Sequence, residues 1–260
     1  MTRVALLQID VSAAQTPEQR TSHVLNLIRE QVGLCDVVCL PELWVVGAFS
    51  SSLMEQSATE RTSTFVTDLG DAARAANVWL HAGSFIERDG DQLFNTSVVF
   101  RPDGTVAAFY RKIHLFGFDA GEAALLSGGE DLVTISETPL GTLGLTTCYD
   151  LRFPELFRLL VSEGSETFIV TSGWPSSRLQ HWKILLQARA IENQAWVIAC
   201  NATGLSGEVQ LAGHSMVIDP QGQVVAQAGA DETVLYVDVD MNEVTRWRSE
   251  FPALDDRVLD

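Results

Sequence analysis

Residues 144–155 read GLTTCYDLRFPE, and this stretch places a cysteine at the join between two elements of different type. The apolar run 143–145 predicts a strand, and Pro154 is typical of the first turn of a helix. A thiol at a sharp strand-to-helix junction stands clear of the sheet, near backbone N–H groups that can stabilise an oxyanion. Cys148 is therefore a candidate nucleophile, although a cysteine at a strand end is more often core filler.

A candidate general base follows an earlier strand. Residues 37–44 read VVCLPELW, so an apolar strand runs into a Pro-Glu turn. Glu42 then stands at the carboxyl end of the strand, the usual side for sites in an α/β sheet. Its apolar neighbours Leu40, Leu43 and Trp44 disfavour the charged form of a carboxyl group, which suits a general base. The alternative is a solvated loop glutamate.

A lysine in the segment 109–116, FYRKIHLF, is the third candidate. A lysine at this point is ordinarily a solvated charge on an edge strand. Lys112, however, precedes an apolar stretch and a Gly-containing loop. A buried ammonium group needs a carboxylate partner, and Glu42 and Glu122 are the two candidates.

Together these segments resemble the nitrilase, or carbon–nitrogen hydrolase, superfamily, and the resemblance covers nearly the whole chain. Further motifs carry it in the same order: VALLQ (4–8), GWP (173–175), QARAIEN (187–193) and GHSMVIDP (213–220). The fold that this implies is α/β, a four-layer α-β-β-α sandwich of two mixed sheets flanked by helices. A chain of 260 residues with 46% hydrophobic residues can bury one large core, so a single domain over residues 1–260 is expected.

The resemblance implies a catalytic triad of Glu42, Lys112 and Cys148. Amide cleavage needs a nucleophile, a base and a donor that faces the oxyanion. Glu42 would take the thiol proton and pass it to the leaving nitrogen, while Lys112 and the backbone N–H of Tyr149 hold the oxyanion. Water activated by Glu42 would then hydrolyse the acyl thioester on Cys148. His114 suggests a Cys–His dyad instead, but nothing distinguishes it from a packing histidine.

The family also carries a second glutamate beside the lysine. Glu122 matches it best, because it precedes the Gly128-Gly129 turn at about the expected spacing. Two acidic neighbours, Asp119 and Glu130, are alternatives.

Two residues are expected to contact substrate from positions close to strand ends. Tyr149 is next to the nucleophile. Trp174 lies in the loop that follows the strand 167–171, and loops at strand carboxyl ends line α/β sites. In the family this loop forms a wall of the substrate pocket. The alternative for Trp174 is that it caps the core.

Two arginines are candidates for binding a substrate carboxylate. The net charge of −17 repels anions at long range, but a local arginine overrides that within a site. Arg152 and Arg178 are the candidates. Arg152 has a structural alternative, an ion pair with Asp150 or Glu155.

The form CYDLRFPE resembles the branch of the family that acts on small carboxylate-bearing amides. An ω-amidase that hydrolyses 2-oxoglutaramate-type acids is expected, with a deaminated-glutathione amidase as the alternative. Nitrilases commonly have Trp-Glu after the cysteine, and N-carbamoyl hydrolases have arginine where Leu151 stands, so both are less favoured. A non-catalytic scaffold is the alternative from a different class, and the intact triad argues against it.

Composition and charge exclude other classes. The acidic balance argues against nucleic-acid binding. No apolar run approaches the length of a membrane span, and the first residues enter a strand directly. The four cysteines lack metal-binding spacing, so no metal and no cofactor are expected, and the thiols are typical of a cytoplasmic protein.

The family usually forms dimers through the helices beside the nucleophile strand. We expect a homodimer here, with a C-terminal tail of residues 246–260 at the interface. Four apolar residues on these helices are expected to supply the surface: Phe157, Leu160, Trp182 and Leu186.

Alternation of polar and apolar residues predicts more strands than helices. The predicted strands are 4–10, 37–40, 79–85, 96–101, 106–110, 132–136, 143–147, 167–171, 197–201, 214–218, 224–228 and 234–239. The predicted helices are 17–32, 57–76, 154–163 and 178–194.

Overall fold

Two six-stranded sheets form the centre of the computed structural model, which describes residues 1–12, 14–117 and 121–258. The strands are β1 (Thr2–Gln8), β2 (Val37–Cys39), β3 (Trp79–Asp89), β4 (Gln92–Phe100), β5 (Val106–Arg111), β6 (Thr134–Thr138), β7 (Gly141–Thr147), β8 (Thr167–Ser172), β9 (Trp196–Asn201), β10 (Thr203–Ser206), β11 (Val209–Ala212), β12 (Met216–Ile218), β13 (Val224–Gln227) and β14 (Thr233–Val239). The helices are α1 (Pro17–Arg29), α2 (Ser51–Met54), α3 (Thr64–Ala76), α4 (Glu122–Leu125), α5 (Pro154–Ser162), α6 (Leu179–Asn193) and α7 (Asn242–Glu250), with 3-10 helices at Cys148–Arg152 and Ser176–Arg178.

Both sheets are mixed. The first has the strand order β14-β1-β2-β3-β4-β5, and the second has the order β13-β12-β9-β8-β7-β6. In the first sheet β1, β2 and β3 are parallel, and in the second β7, β8 and β9 are parallel, while the remaining neighbours are antiparallel. Parallel neighbours end at the same edge of a sheet, where α/β proteins build their sites.

Three apolar layers hold the sheets and helices together. The layer between the two sheets includes Leu6 from β1 and Ile198 from β9, both fully buried. A second layer joins the first sheet to α1 and α3, and a third joins the second sheet to α5 and α6. The order is therefore helices, sheet, sheet, helices, and the predicted four-layer α-β-β-α architecture is confirmed.

Capping residues explain where two helices begin. Thr16 and Gln19 form a reciprocal capping box at the start of α1, and Pro17 occupies its first turn. The predicted helix 57–76 was too long at its start, because Ser63 caps α3 and Thr59 pairs instead with Glu87 of β3. The short α2 and α4, the hairpin β10–β11 and α7 were not predicted.

The predicted dimer-forming residues lie inside the protomer. Four residues are fully buried against the second sheet because they form the inner apolar stripe of α5 and α6: Phe157, Leu160, Trp182 and Leu186. The outer surface of these helices carries three other apolar residues that are more than half exposed: Leu159, Ile184 and Ile191. Leu259 and Asp260 of the predicted tail, and Asp119, lie outside the described residues.

None of the helices that the structure describes has the length and apolar character to span a bilayer.

Candidate active site

The structure brings four predicted site residues together from four different elements. Glu42 follows β2, Lys112 follows β5, Glu122 begins α4, and Cys148 follows β7. All four are buried, with exposed fractions of 1% for Glu42, 2% for Lys112, 6% for Glu122 and 9% for Cys148. Such burial makes hydrogen bonds and charges among them much stronger than they would be in water.

Lys112 bridges the two glutamates. Its Nζ donates to Glu42 Oε1 and to Glu122 Oε2, at 2.7 Å each. Burial alone lowers the pKa of Lys112, but the negative charges of Glu122 and Glu42 outweigh it and raise that pKa well above its usual value. Lys112 is therefore an ammonium ion, and both carboxylates expected from the sequence are its partners.

The Glu42 carboxylate faces hydrogen-bond donors, not the apolar surroundings that its sequence neighbours suggested. Asn95 Nδ2 donates to its Oε1 at 2.9 Å, and the Gly173 N–H donates to its Oε2 at 2.8 Å. The chain turns sharply here, with Leu43 in the left-handed region at a φ of 44°. Leu43 and Trp44 pack into separate apolar clusters, which leaves the carboxylate pointing to the charged residues.

Gly173 permits a close approach of two loops. A Cβ atom on this residue would lie 2.5 Å from the Cβ of Ala48 and 3.4 Å from Glu42 Oε2. Only glycine therefore lets the backbone N–H reach Glu42 without moving the loop that contains Ala48.

Cys148 begins its 3-10 helix in a strained conformation, at a φ of 47°. The neighbouring Asp150 braces this turn by accepting the Thr147 N–H at 2.9 Å and the Tyr110 hydroxyl at 2.6 Å. His114 lies against the same carboxylate, with Nδ1 2.8 Å from Asp150 Oδ1. This is the packing arrangement that the sequence left open for His114.

The Cys148 thiol is held in its protonated form. Burial and the negative charge of Glu42 raise the pKa of Cys148, and the charge of Lys112 and the adjacent Ser172 hydroxyl only partly oppose them. A thiol in this state needs a base to become a nucleophile. Glu42, which lines the same cavity and whose charge acts on this thiol, is in position to be that base.

A cavity of about 340 Å³ opens onto the thiol, and the four predicted substrate-contacting residues line it: Tyr149, Arg152, Trp174 and Arg178. Trp174 is also buried, at 2% exposed, and packs in the core beside Trp182, so it caps the core and lines the cavity at the same time. The Trp174 indole Nε1 donates to the Arg178 carbonyl at 2.9 Å, which fixes one wall.

The two arginines of the cavity have no ion pair with any carboxylate of the described residues. The Arg152 guanidinium lies over the Trp174 ring, 4.9 Å from its centroid, and Arg178 lies 5.7 Å from that of Phe116. The structural alternative for Arg152, an ion pair with Asp150 or Glu155, is therefore not seen. Asp150 instead accepts hydrogen bonds from Tyr110, His114 and Thr147 around the nucleophile turn.

Two residues of the site were not predicted, Asn95 on β4 and Ser172 at the end of β8. Both are buried, at 1% and 0% exposed. The register Thr147–Thr171 places Cys148 and Ser172 side by side where β7 and β8 end. The only signal in the sequence was a polar residue within an apolar strand pattern.

Among the described residues, no group of three metal-ligating side chains forms a metal site.

An α-β-β-α fold with a buried carboxylate, ammonium and thiol at its strand ends defines a class of hydrolytic enzymes with a cysteine at the site. Residues 3–249 match the model of the family described as "Carbon-nitrogen hydrolase". The chain belongs to the carbon–nitrogen hydrolase family, as its sequence motifs predicted, and is an enzyme that hydrolyses non-peptide C–N bonds.

Known proteins similar to this chain include amidases. It is 40% identical over 264 residues to a 2-oxoglutaramate amidase of Paenarthrobacter nicotinovorans, covering 99% of this chain and 90% of that protein. It is 35% identical over 245 residues to a deaminated glutathione amidase of Dictyostelium discoideum, covering 86% and 83%. A solved structure of a mutant amidase from Nesterenkonia sp. AN1, with the acetamide moiety of fluoroacetamide added covalently to its active-site cysteine, is 25% identical with a TM-score of 0.86, covering 99% and 94%.

Proposed function

We propose that this enzyme hydrolyses the terminal carboxamide of a small carboxylate-bearing acid such as 2-oxoglutaramate, and releases ammonia. The observation that carries the proposal is the layout of the cavity. Cys148 and Glu42 line it together with two arginines that lack an acidic partner among the described residues. A substrate with an amide at one end and a carboxylate at the other matches this layout.

The chemistry follows from the charges of the site. Glu42 takes the thiol proton as Cys148 Sγ attacks the amide carbon, and it passes that proton to the leaving nitrogen. Lys112 and the backbone N–H of Tyr149 stabilise the oxyanion, while Glu122 holds Lys112 in place. Ammonia leaves an acyl thioester on Cys148, and a water activated by Glu42 hydrolyses it.

Cavity size favours the small substrate over the alternative. At about 340 Å³ the cavity is at the lower end of the range for ligand pockets. Deaminated glutathione is a larger molecule, and its scissile amide carries a dipeptide as the leaving group. That activity remains the second candidate because of the relative that carries its name. Nitriles and N-carbamoyl compounds are less favoured as substrates than either amide.

The test compares ammonia release from 2-oxoglutaramate with hydrolysis of deaminated glutathione, with Cys148→Ala as the blank. We expect a clear preference for 2-oxoglutaramate. Arg152→Gln and Arg178→Gln should raise KM for this acid and leave KM for an uncharged amide unchanged. Arg74→Gln is the control, because Arg74 is an exposed arginine on α3 that pairs with Asp71. Absence of hydrolysis of both substrates contradicts the proposal.

We further propose that residues 1–260 act as one domain and that two copies form a homodimer. The outer surface of α5 and α6 supports this, since Leu159, Ile184 and Ile191 leave an exposed apolar patch that a second copy would cover. Phe251, in the C-terminal tail, is also exposed. Light scattering should give a dimer that Ile184→Glu dissociates and that Val32→Glu, an exposed residue elsewhere, does not. A monomeric wild-type protein at micromolar concentration contradicts this.

A cytoplasmic location is also proposed. It is supported by the four cysteines, all of which are free thiols within the described part of the chain.

A further inference from the structure

Asn95 lies at the centre of the charged cluster, although it is not among the residues that line the cavity. Its backbone carbonyl accepts the Lys112 N–H at 2.9 Å. Its side-chain Nδ2 donates to Glu42 Oε1 at 2.9 Å and to Glu122 Oε1 at 2.6 Å. One buried residue thus contacts the backbone of the lysine and both of the carboxylates that the lysine neutralises.

The hydrogen-bond pattern defines the charge of the two glutamates. Their four carboxylate oxygens receive six hydrogen bonds, all from N–H donors. Each oxygen accepts at least one of these bonds, which is the pattern of two ionised carboxylates. Because Lys112 supplies one positive charge, the cluster carries a buried excess of negative charge.

The Asn95 side chain is oriented for this cluster at a cost to the fold. Its Oδ1 is buried and has no hydrogen-bond partner among the described residues, which is unfavourable. The reversed amide would point Oδ1 at two carboxylates, so both N–H groups of Nδ2 stay with the glutamates. Departures from a fully satisfied core tend to lie at functional sites.

We propose that Asn95 is a positioning residue that keeps Glu42 and Glu122 ionised side by side, so that Glu42 can accept the proton of the Cys148 thiol. This deepens the proposed function and rests on it. Without the amide donor, two adjacent carboxylates share one ammonium ion and take up a proton between them. A protonated Glu42 cannot act as the base.

The test is the pH dependence of Asn95→Leu, which keeps the size of the side chain and removes its donors. At neutral pH we expect kcat to fall about 10- to 100-fold, as for loss of hydrogen bonds to a charged group. KM should stay within about twofold, because Asn95 does not line the cavity. The loss should shrink as the pH rises, since deprotonation restores the base. The other charged or titratable groups that face Glu42 are Lys112, Glu122 and Cys148.

Asn193 offers a matched control. It is fully buried on α6, its Oδ1 also lacks a partner in the described part of the chain, and its Nδ2 donates only within or beside its own helix. Asn193→Leu should keep the wild-type kcat and pH profile. If Asn95→Leu does not fold, Asn95→Ser tests the proposal instead. Its hydroxyl can donate to one glutamate only, so its kcat should lie below that of wild type, and the loss should again shrink as the pH rises.

Failure of the Asn95 proposal can be distinguished from failure of the proposed function. If wild-type protein hydrolyses no amide, the proposed function fails, and the ratio of variant to wild-type alkylation of Cys148 by iodoacetamide then tests Asn95 over the same pH range. Because the negative charge of Glu42 raises the pKa of Cys148, a protonated Glu42 leaves the thiol easier to ionise, so a ratio well above one at neutral pH that falls toward one as the pH rises supports the proposal. A ratio within about threefold of one at neutral pH, or a difference that stays constant with pH, overturns it.

Discussion

The Tyr110 hydroxyl donates a 2.6 Å hydrogen bond to Asp150 Oδ2, and this bond joins the end of β5 to the turn that carries the nucleophile. Asp150 also accepts the Thr147 N–H, and its other oxygen accepts the His114 N–H. Lys112, which follows Tyr110 by two residues, and Cys148, which precedes Asp150 by two, are thereby held in fixed relation across the two sheets.

Asp150→Asn should therefore loosen the nucleophile turn. The amide turns one acceptor oxygen into a donor that faces another donor, so we expect a loss of roughly 1–3 kcal/mol in the free energy of unfolding. We expect kcat to fall and KM to change as well, because Tyr149 and Arg152 line the cavity from the same turn as Cys148. Urea unfolding and steady-state kinetics measure the two effects. Asp103→Asn, in an exposed turn, should change neither.

Ser172→Ala should make the thiol harder to ionise. Ser172 lowers the pKa of Cys148, so its loss should raise that pKa further and slow alkylation by iodoacetamide at neutral pH. The difference from wild type should narrow at strongly alkaline pH. Ser165 is the matched control, because it is also fully buried with a hydroxyl that lacks a partner among the described residues. Equal alkylation rates in Ser172→Ala and Ser165→Ala speak against this role.

Gly173→Ala should reduce activity through the loop that contains Ala48. The added Cβ meets the Ala48 Cβ at 2.5 Å, so the N–H that holds Glu42 has to shift. A shift of this kind costs on the order of 100-fold in kcat/KM. The double variant Gly173→Ala/Ala48→Gly should recover much of it. Gly229→Ala, where a Cβ meets nothing within 4 Å, should be neutral. Failure of the double variant to improve on Gly173→Ala would refute this steric account.

His81 should make the protein sensitive to acid. It is 1% exposed on β3, and burial lowers its pKa from 6.5 to about 4. Between these values the unfolded chain binds a proton that the folded chain does not, so stability falls as the pH is lowered through this window. The full effect is about 3 kcal/mol. Urea unfolding of His81→Leu should show a shallower dependence on pH than wild type over this window. Parallel curves for the two proteins contradict it.

The residues that could be predicted are those at strand ends. Glu42, Lys112 and Cys148 each follow an apolar strand, and a polar residue at that point is visible in a linear pattern. The four-layer fold was expected from the resemblance to the carbon–nitrogen hydrolase family, and the order of strands and helices agreed with it. Asn95 could not be assigned a role, because a polar residue within a buried strand has the same pattern whether it fills the core or serves a site.

The dimer surface shows a second limit of the sequence pattern. The 3.6-residue period identifies the apolar stripe of a helix but not which neighbour that stripe faces. Phe157 and Trp182 lie on the inner faces of α5 and α6, and the second sheet covers them. Only the folded structure shows that Ile184 and Ile191 remain exposed after the helices pack on the sheet.

The central claim is that Cys148 forms an acyl thioester with a carboxylate-bearing amide. The most direct measurement is the mass of the wild-type protein after rapid acid quenching of its reaction with 2-oxoglutaramate, with Cys148→Ala as the blank. We predict an added mass equal to the substrate less ammonia, on the peptide that contains Cys148 and absent from Cys148→Ala. Ammonia release by Cys148→Ala at the wild-type rate, or an adduct on Cys35, Cys39 or Cys200 instead, would contradict the account.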